Sequence, residues 1–89
     1  MKAILDHVGI AVTNLDEALT FFRDALGLEV GRPEYVPSQG VSAQFVLTGQ
    51  ASLELLAATS SESAIAKFLQ RHGPGLHHIT LRVDDIRAA

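Results

Sequence analysis

No cysteine occurs in this chain, and only three of its 89 residues are proline. Without cysteine neither a disulfide framework nor a thiolate metal site can form, and the composition fits a reducing compartment. Long apolar runs are also missing: nothing approaches the roughly 18 consecutive apolar residues of a membrane span. The amino terminus, Met1 to His7, lacks the apolar core of a secretory signal. An excess of positive charge is absent too, since the seven Lys and Arg are scattered and the net charge is −3. That excludes a polyanion partner such as nucleic acid, while leaving room for one small anionic substrate. The expectation is a cytoplasmic protein with no membrane partner. Hydrophobic residues make up 47% of the chain, enough to exclude disorder and to build one core.

What the chain does have is a repeat. Leu5 set against Leu76 carries His7 onto His78, Val8 onto Ile79, Ile10 onto Leu81, Val12 onto Val83 and Leu15 onto Ile86. Each copy alternates as a strand does, and each is followed by short polar residues able to cap a helix. Residues two apart share a face, so strict alternation groups His7 with Leu5, Gly9 and Ala11, and His78 with Leu76, Thr80 and Arg82. The same rule sends His77 to the opposite face.

The remaining elements follow from spacing and punctuation. A strand is predicted over 3–12. Thr13 and Asn14 then offer a cap for a helix whose apolar residues are Leu15, Ala18, Leu19, Phe22, Ala25 and Leu26, ended by Gly27. Residues 28–36 read as an irregular or edge strand, because Gly31 and Pro33 interrupt it. A turn over 37–40 precedes strands at 41–47 and 52–57, the second carrying Glu54 amid apolar neighbours. A short helix over 64–71 stops near Gly73-Pro74-Gly75, and the repeated strand follows. The fold class is α+β: a complete βαβββ module over about 1–58, a linker helix over about 62–72, and the start of a second module over about 75–89.

The phrases Leu5-Asp-His-Val-Gly-Ile-Ala-Val12, Phe22-Arg-Asp-Ala-Leu-Gly-Leu-Glu-Val30, Gln39-Gly-Val41 and Leu53-Glu-Leu-Leu56 resemble the vicinal oxygen chelate superfamily, the glyoxalase and bleomycin-resistance fold. In that fold two βαβββ modules curl around a divalent metal. The segment Ser63-Ala-Ile-Ala-Lys-Phe-Leu69, running into Gly73-Pro-Gly-Leu-His-His-Ile79, is similar more particularly to the methylmalonyl-CoA epimerases. The resemblance implies metal ligands at His7, Glu54 and His78, cobalt as the ion, an acyl-CoA substrate and a homodimer. It implies a fourth ligand, a glutamate, beyond Ala89. It also implies an isomerase that removes and returns the proton between a thioester and a carboxylate.

Two imidazoles and a carboxylate suit Co, Zn, Mn, Ni or Fe, whereas tight Ca binding calls for more oxygens. The acid that some epimerases carry on the residue matching Ala43 is missing, with no Asp or Glu between Gln39 and Leu53. Gln44 offers only a polar contact, on the face opposite Ala43, and the catalytic groups stay unassigned. Other readings attach to single residues. His72 is a helix-end histidine, Arg82 a surface residue or an anion contact, and Asp84 and Asp85 are helix caps repeating Thr13 and Asn14. Two alternatives to the epimerase remain open. One is another metal-dependent member of the superfamily, of the glyoxalase I or ring-cleaving dioxygenase type. The other is a non-catalytic module that dimerises through a strand at 76–83 left without neighbours.

Overall fold

The computed structural model describes residues 2–84. Its elements are β1 (Ala3–Ala11), α1 (Leu15–Leu19) continued by a π-helical segment (Thr20–Ala25), β2 (Glu29–Val36), a 3₁₀ turn (Pro37–Gln39), β3 (Val41–Leu47), β4 (Ser52–Ala58), α2 (Ala64–His72) and β5 (Gly75–Val83). The strands form one sheet in the order β2-β3-β4-β1-β5. β1 runs parallel to β4 and antiparallel to β5, while β2, β3 and β4 form an antiparallel meander. The α+β class and the βαβββ order followed by one more strand are therefore as the sequence predicts.

Each face of the sheet receives one helix. On one side Leu19 of α1 packs on Val46 and Leu55, joined by Ile10, Leu15, Phe22 and Leu53. On the other, Ile65 of α2 packs on Ala11, Val41, Ala43 and Leu56. Both helices begin on a capping side chain: Asn14 Oδ1 accepts from the Glu17 amide at 3.0 Å, and Ser63 Oγ from the Ala66 amide at 3.1 Å. These contacts satisfy amide groups that a first helical turn leaves unpaired. Gly40 takes a left-handed conformation (φ 62°) where the 3₁₀ turn hands over to β3, a region closed to most side chains.

Two expectations are corrected. The helix after Asn14 is α-helical for one turn only. Leu26 then bonds its amide to the Phe21 carbonyl at 2.9 Å, and the wider π turn rotates Ala25 and Leu26 outward, with Leu26 53% exposed. The strand at 76–83 is not without neighbours, because β5 lies along β1 from Ala3↔Val83 to Ala11↔Gly75. The Asp84 carboxylate accepts from the Lys2 amide at 3.1 Å, while its amide bonds the Lys2 carbonyl; the helix start it is expected to cap lies outside the described residues. Asp85 and Ile86 lie outside the described residues.

The β1–β5 ladder carries two bulges. Leu5 pairs with Leu81 but His7 with Thr80, so Asp6 is an extra residue on β1. Gly9 pairs with His78 but Ile10 with Leu76, so His77 is an extra residue on β5. The bulge at Asp6 moves Leu5 off the His7 face: as the partner of Leu81 it falls on the side away from the histidines, contrary to strict alternation.

Candidate metal centre

β4, β1 and β5 are adjacent, and each contributes one side chain to a shared point. Gly9 of β1 is the cross-strand partner of Glu54 on one side and of His78 on the other. His7 stands two residues back on the same strand face. A glycine at the centre of that row is a steric requirement, because a β-carbon on position 9 would overlap the ring of His78. His7 Nε2 lies 3.5 Å from Glu54 Oε1, and His78 Nε2 lies 3.6 Å from the same oxygen. One donor atom from each of the three residues falls within 4.8 Å of the others. Donor atoms held about 2.1 Å from a tetrahedral or octahedral ion stand roughly 3 to 3.4 Å apart, so only a small inward movement separates this arrangement from a coordination shell.

The donor atoms are presented in a form that suits a cation. His7 Nδ1 lies 2.8 Å from Asp6 Oδ2. A carboxylate accepts, so the ring proton sits on Nδ1 and Nε2 keeps its lone pair. Thr80 Oγ1 lies 3.1 Å from that Nε2 and serves as its donor. His78 Nδ1 lies 2.8 Å from Nδ1 of His77. The rings of His7 and His78 meet edge to face at 5.5 Å, and Phe45 closes the other edge of His7 at the same distance. All three candidate ligands are half-buried.

Beside them opens a cavity of about 460 Å³, lined among others by Glu34, Val41, Ala43, Leu56, Ile65 and His77. Its lining combines apolar residues of β3, β4 and α2 with the acids Glu34 and Glu62. No motif in the sequence singles out Glu34. It is the cross-strand partner of Ala43, and Gly31 and Pro33 break the alternation of β2 that would have given its direction.

His77 is the clearest correction. Alternation sends it away from His78, yet it lines the same cavity, because the bulge lets two consecutive residues face one side. Its ring meets Phe68 of α2 at 4.9 Å. Burial, followed by the neighbouring His78, pushes its imidazole below the usual range against an opposing pull from Glu54. Gln44 is buried and donates to the Gly31 carbonyl, so it fastens β2 to β3 and takes no part in the site. Arg82 is a surface residue, its Nη1 3.9 Å from Asp6 Oδ1. His72 ends α2 and stacks on Phe68 at 4.9 Å.

Residues 6–89 match the family model for the glyoxalase/bleomycin resistance protein/dioxygenase superfamily. The mitochondrial methylmalonyl-CoA epimerase of Bos taurus is 43% identical over 86 residues, covering 96% of this chain and 49% of that protein. The ethylmalonyl-CoA/methylmalonyl-CoA epimerase of Cereibacter sphaeroides is 42% identical over 86 residues, covering 96% of this chain and 64% of that protein. Among solved structures, a methylmalonyl-CoA epimerase in complex with methylmalonyl-CoA and an ammonium ion superposes with a TM-score of 0.86 at 34% identity, over 99% of this chain and 65% of that one. A hypothetical protein of Bacillus halodurans superposes with a TM-score of 0.91 at 43% identity, over 99% of this chain and 64% of that one. The chain thus spans about half the length of the mitochondrial relatives it matches. With its fold, its repeat and this family match taken together, the chain belongs to the glyoxalase/bleomycin resistance protein/dioxygenase superfamily.

Proposed function

We propose that this chain forms the metal-binding part of a methylmalonyl-CoA epimerase, an isomerase acting on a small acyl-CoA. The observation that carries the reading is the convergence of His7, Glu54 and His78 beside a cavity, in a chain that is 43% identical to an epimerase over 86 residues. The ligand set is His7 Nε2, Glu54 Oε1 and His78 Nε2. It fits cobalt, the ion the family resemblance favours, and equally Zn, Mn, Ni or Fe. A divalent ion held there supplies a Lewis acid that polarises substrate oxygens and favours negative charge on the adjoining carbon.

The chain's own groups do the rest. Val41, Ala43, Leu56 and Ile65 give the cavity an apolar wall that keeps bulk water from the reacting carbon. Epimerisation removes a proton from one face of that carbon, leaves its electron pair conjugated with the thioester carbonyl, and returns a proton to the other face. That calls for an acid-base group on each side. Glu34, a carboxylate of the cavity outside the ligand set, is our assignment for one of them.

We further propose that residues from about 1 to 58 form the first module, about 62 to 72 the linker helix and about 75 to 89 the opening of a second module. The protein works as a homodimer in the cytoplasm, a setting in keeping with a chain that has no cysteine. The test is to incubate the intact protein with Co²⁺ and one epimer of methylmalonyl-CoA in deuterated water. Label entering the carbon between the two carbonyl groups is expected, slowed at least tenfold in Glu34→Gln. No label with either epimer rejects the function, and full activity in Glu34→Gln rejects that residue's part.

A further inference from the structure

Both histidines of the site have the same kind of neighbour. His7 Nδ1 is 2.8 Å from Asp6, and His78 Nδ1 is 2.8 Å from His77, in each case the residue immediately before it. The repeat that carries His7 onto His78 also carries Asp6 onto His77. Those two residues are the bulges of the β1–β5 ladder, one on each strand. Three paired rows lie between them, His7↔Thr80, Val8↔Ile79 and Gly9↔His78. A bulge leaves one residue without a cross-strand partner and re-aims its side chain. Here it turns the preceding residue toward the back of the following imidazole, which plain alternation would forbid.

We propose that Asp6 and His77 are paired positioning residues, each accepting a hydrogen bond from the Nδ1–H of the next histidine and thereby aiming its Nε2 lone pair at the shared metal point. The inference rests on the metal reading of His7, Glu54 and His78, and it adds the two groups that fix their tautomers. The chemistry of the two acceptors differs. Asp6 is a carboxylate, with 41% of its side chain exposed and Arg82 alongside. His77 accepts as a neutral ring, which requires its own proton on Nε2, and it is held in place by Phe68 at 4.9 Å. A histidine bound through Nε2 is oriented and made more basic by an acceptor at Nδ1, and loss of such a partner typically weakens metal binding about 10- to 100-fold.

The test has two arms. Nitrogen-15 chemical shifts of the histidine rings in metal-free protein near pH 8 read the tautomers directly. Nδ1–H is expected for His7 and His78 and Nε2–H for His77. His77→Phe, which keeps an aromatic ring against Phe68, moves His78 toward the Nε2–H form that free imidazole favours. In the second arm Co²⁺ is titrated in competition with a chromophoric chelator. Affinity falls about 10- to 100-fold in His77→Phe and in Asp6→Ala, and recovers in His77→Gln and Asp6→Asn, whose side-chain carbonyls still accept. An Nε2–H tautomer for His78 in the unaltered protein overturns the proposal, as does Co²⁺ affinity in His77→Phe within twofold of the parent. Failure of the unaltered protein to take up Co²⁺ overturns the metal reading instead, and the tautomer arm still decides the hydrogen bonding.

Discussion

A β-carbon at position 9 would fall inside the imidazole of His78, while Glu54 stands across the ladder on the other side of the same glycine. The smallest residue in the chain therefore sets the spacing of two candidate ligands. Gly9→Ala is expected to displace the His78 ring and lower Co²⁺ affinity by tenfold or more, with the far-ultraviolet circular dichroism of the sheet retained. Equilibrium dialysis beside a spectrum of the same sample checks both halves. His77 gives this scale a pH dependence. Its neighbours are His78 on its own strand, Glu54 on β4, and Lys67, Arg71 and His72 on α2. Burial lowers its folded-state pKa, so the unfolded chain binds the proton more readily and stability rises with pH through that region. The contribution of His77 is intact above the ordinary imidazole pKa of about 6.5 and is lost as pH falls through the folded value. Melting temperatures of metal-free protein at pH 8 and pH 5 are expected to lie further apart than those of His77→Phe, and equal gaps would refute this account.

At the scale of elements, α2 is the one whose local chemistry bears most directly on the cavity, because Ser63, Ala64 and Ile65 are all among its lining. The cap on Ser63 holds the first turn against β3 and β4. Ser63→Ala is expected to cost about 1 kcal/mol of stability, measured by urea denaturation, and a loss below 0.3 kcal/mol would show the cap to be idle (~0.5 to 2 kcal/mol is usual). Much of this level is legible in the sequence. β3 is bounded by the Gly40 turn and by Gly49, Asn14 announces α1, and the repeat aligns both histidines in register. The direction of Glu54 also follows from its own alternation. What is not legible has a physical cause in each case. A bulge adds one residue without changing composition, so the faces of Leu5 and His77 come out reversed. A π turn differs from an α turn by one hydrogen-bond step, so the apolar spacing through Leu26 looks intact while the residue faces water. The partnership of β1 with β4 joins segments far apart in the chain, and no local pattern records it.

Across the whole molecule, the two faces of the sheet are covered unequally. α1 covers Ile10, Leu53 and Leu55, but toward the β5 edge Leu5, Leu76, Ile79 and Leu81 are each at least 41% exposed. Leu5, Ile79 and Leu81 share the side away from the candidate site, and exposed apolar stripes on an edge strand favour association. If a second copy of the chain covers that stripe, as in the proposed homodimer, Leu81→Glu shifts the sedimentation profile toward monomer without altering Co²⁺ binding. A monomer for the unaltered protein at about 100 µM, roughly 100 times a micromolar Kd, would refute the dimer.

The two bulges have one further consequence, for motion. Strands in a ladder can slide by two residues and still match their pleats, and here such a slip would carry His7 and His78 apart. Asp6 and His77 sit on opposite strands at opposite ends of the shared stretch, like a pair of notches cut from facing edges. Sliding in either direction would have to undo both at once, so the paired bulges favour a single alignment of the two strands.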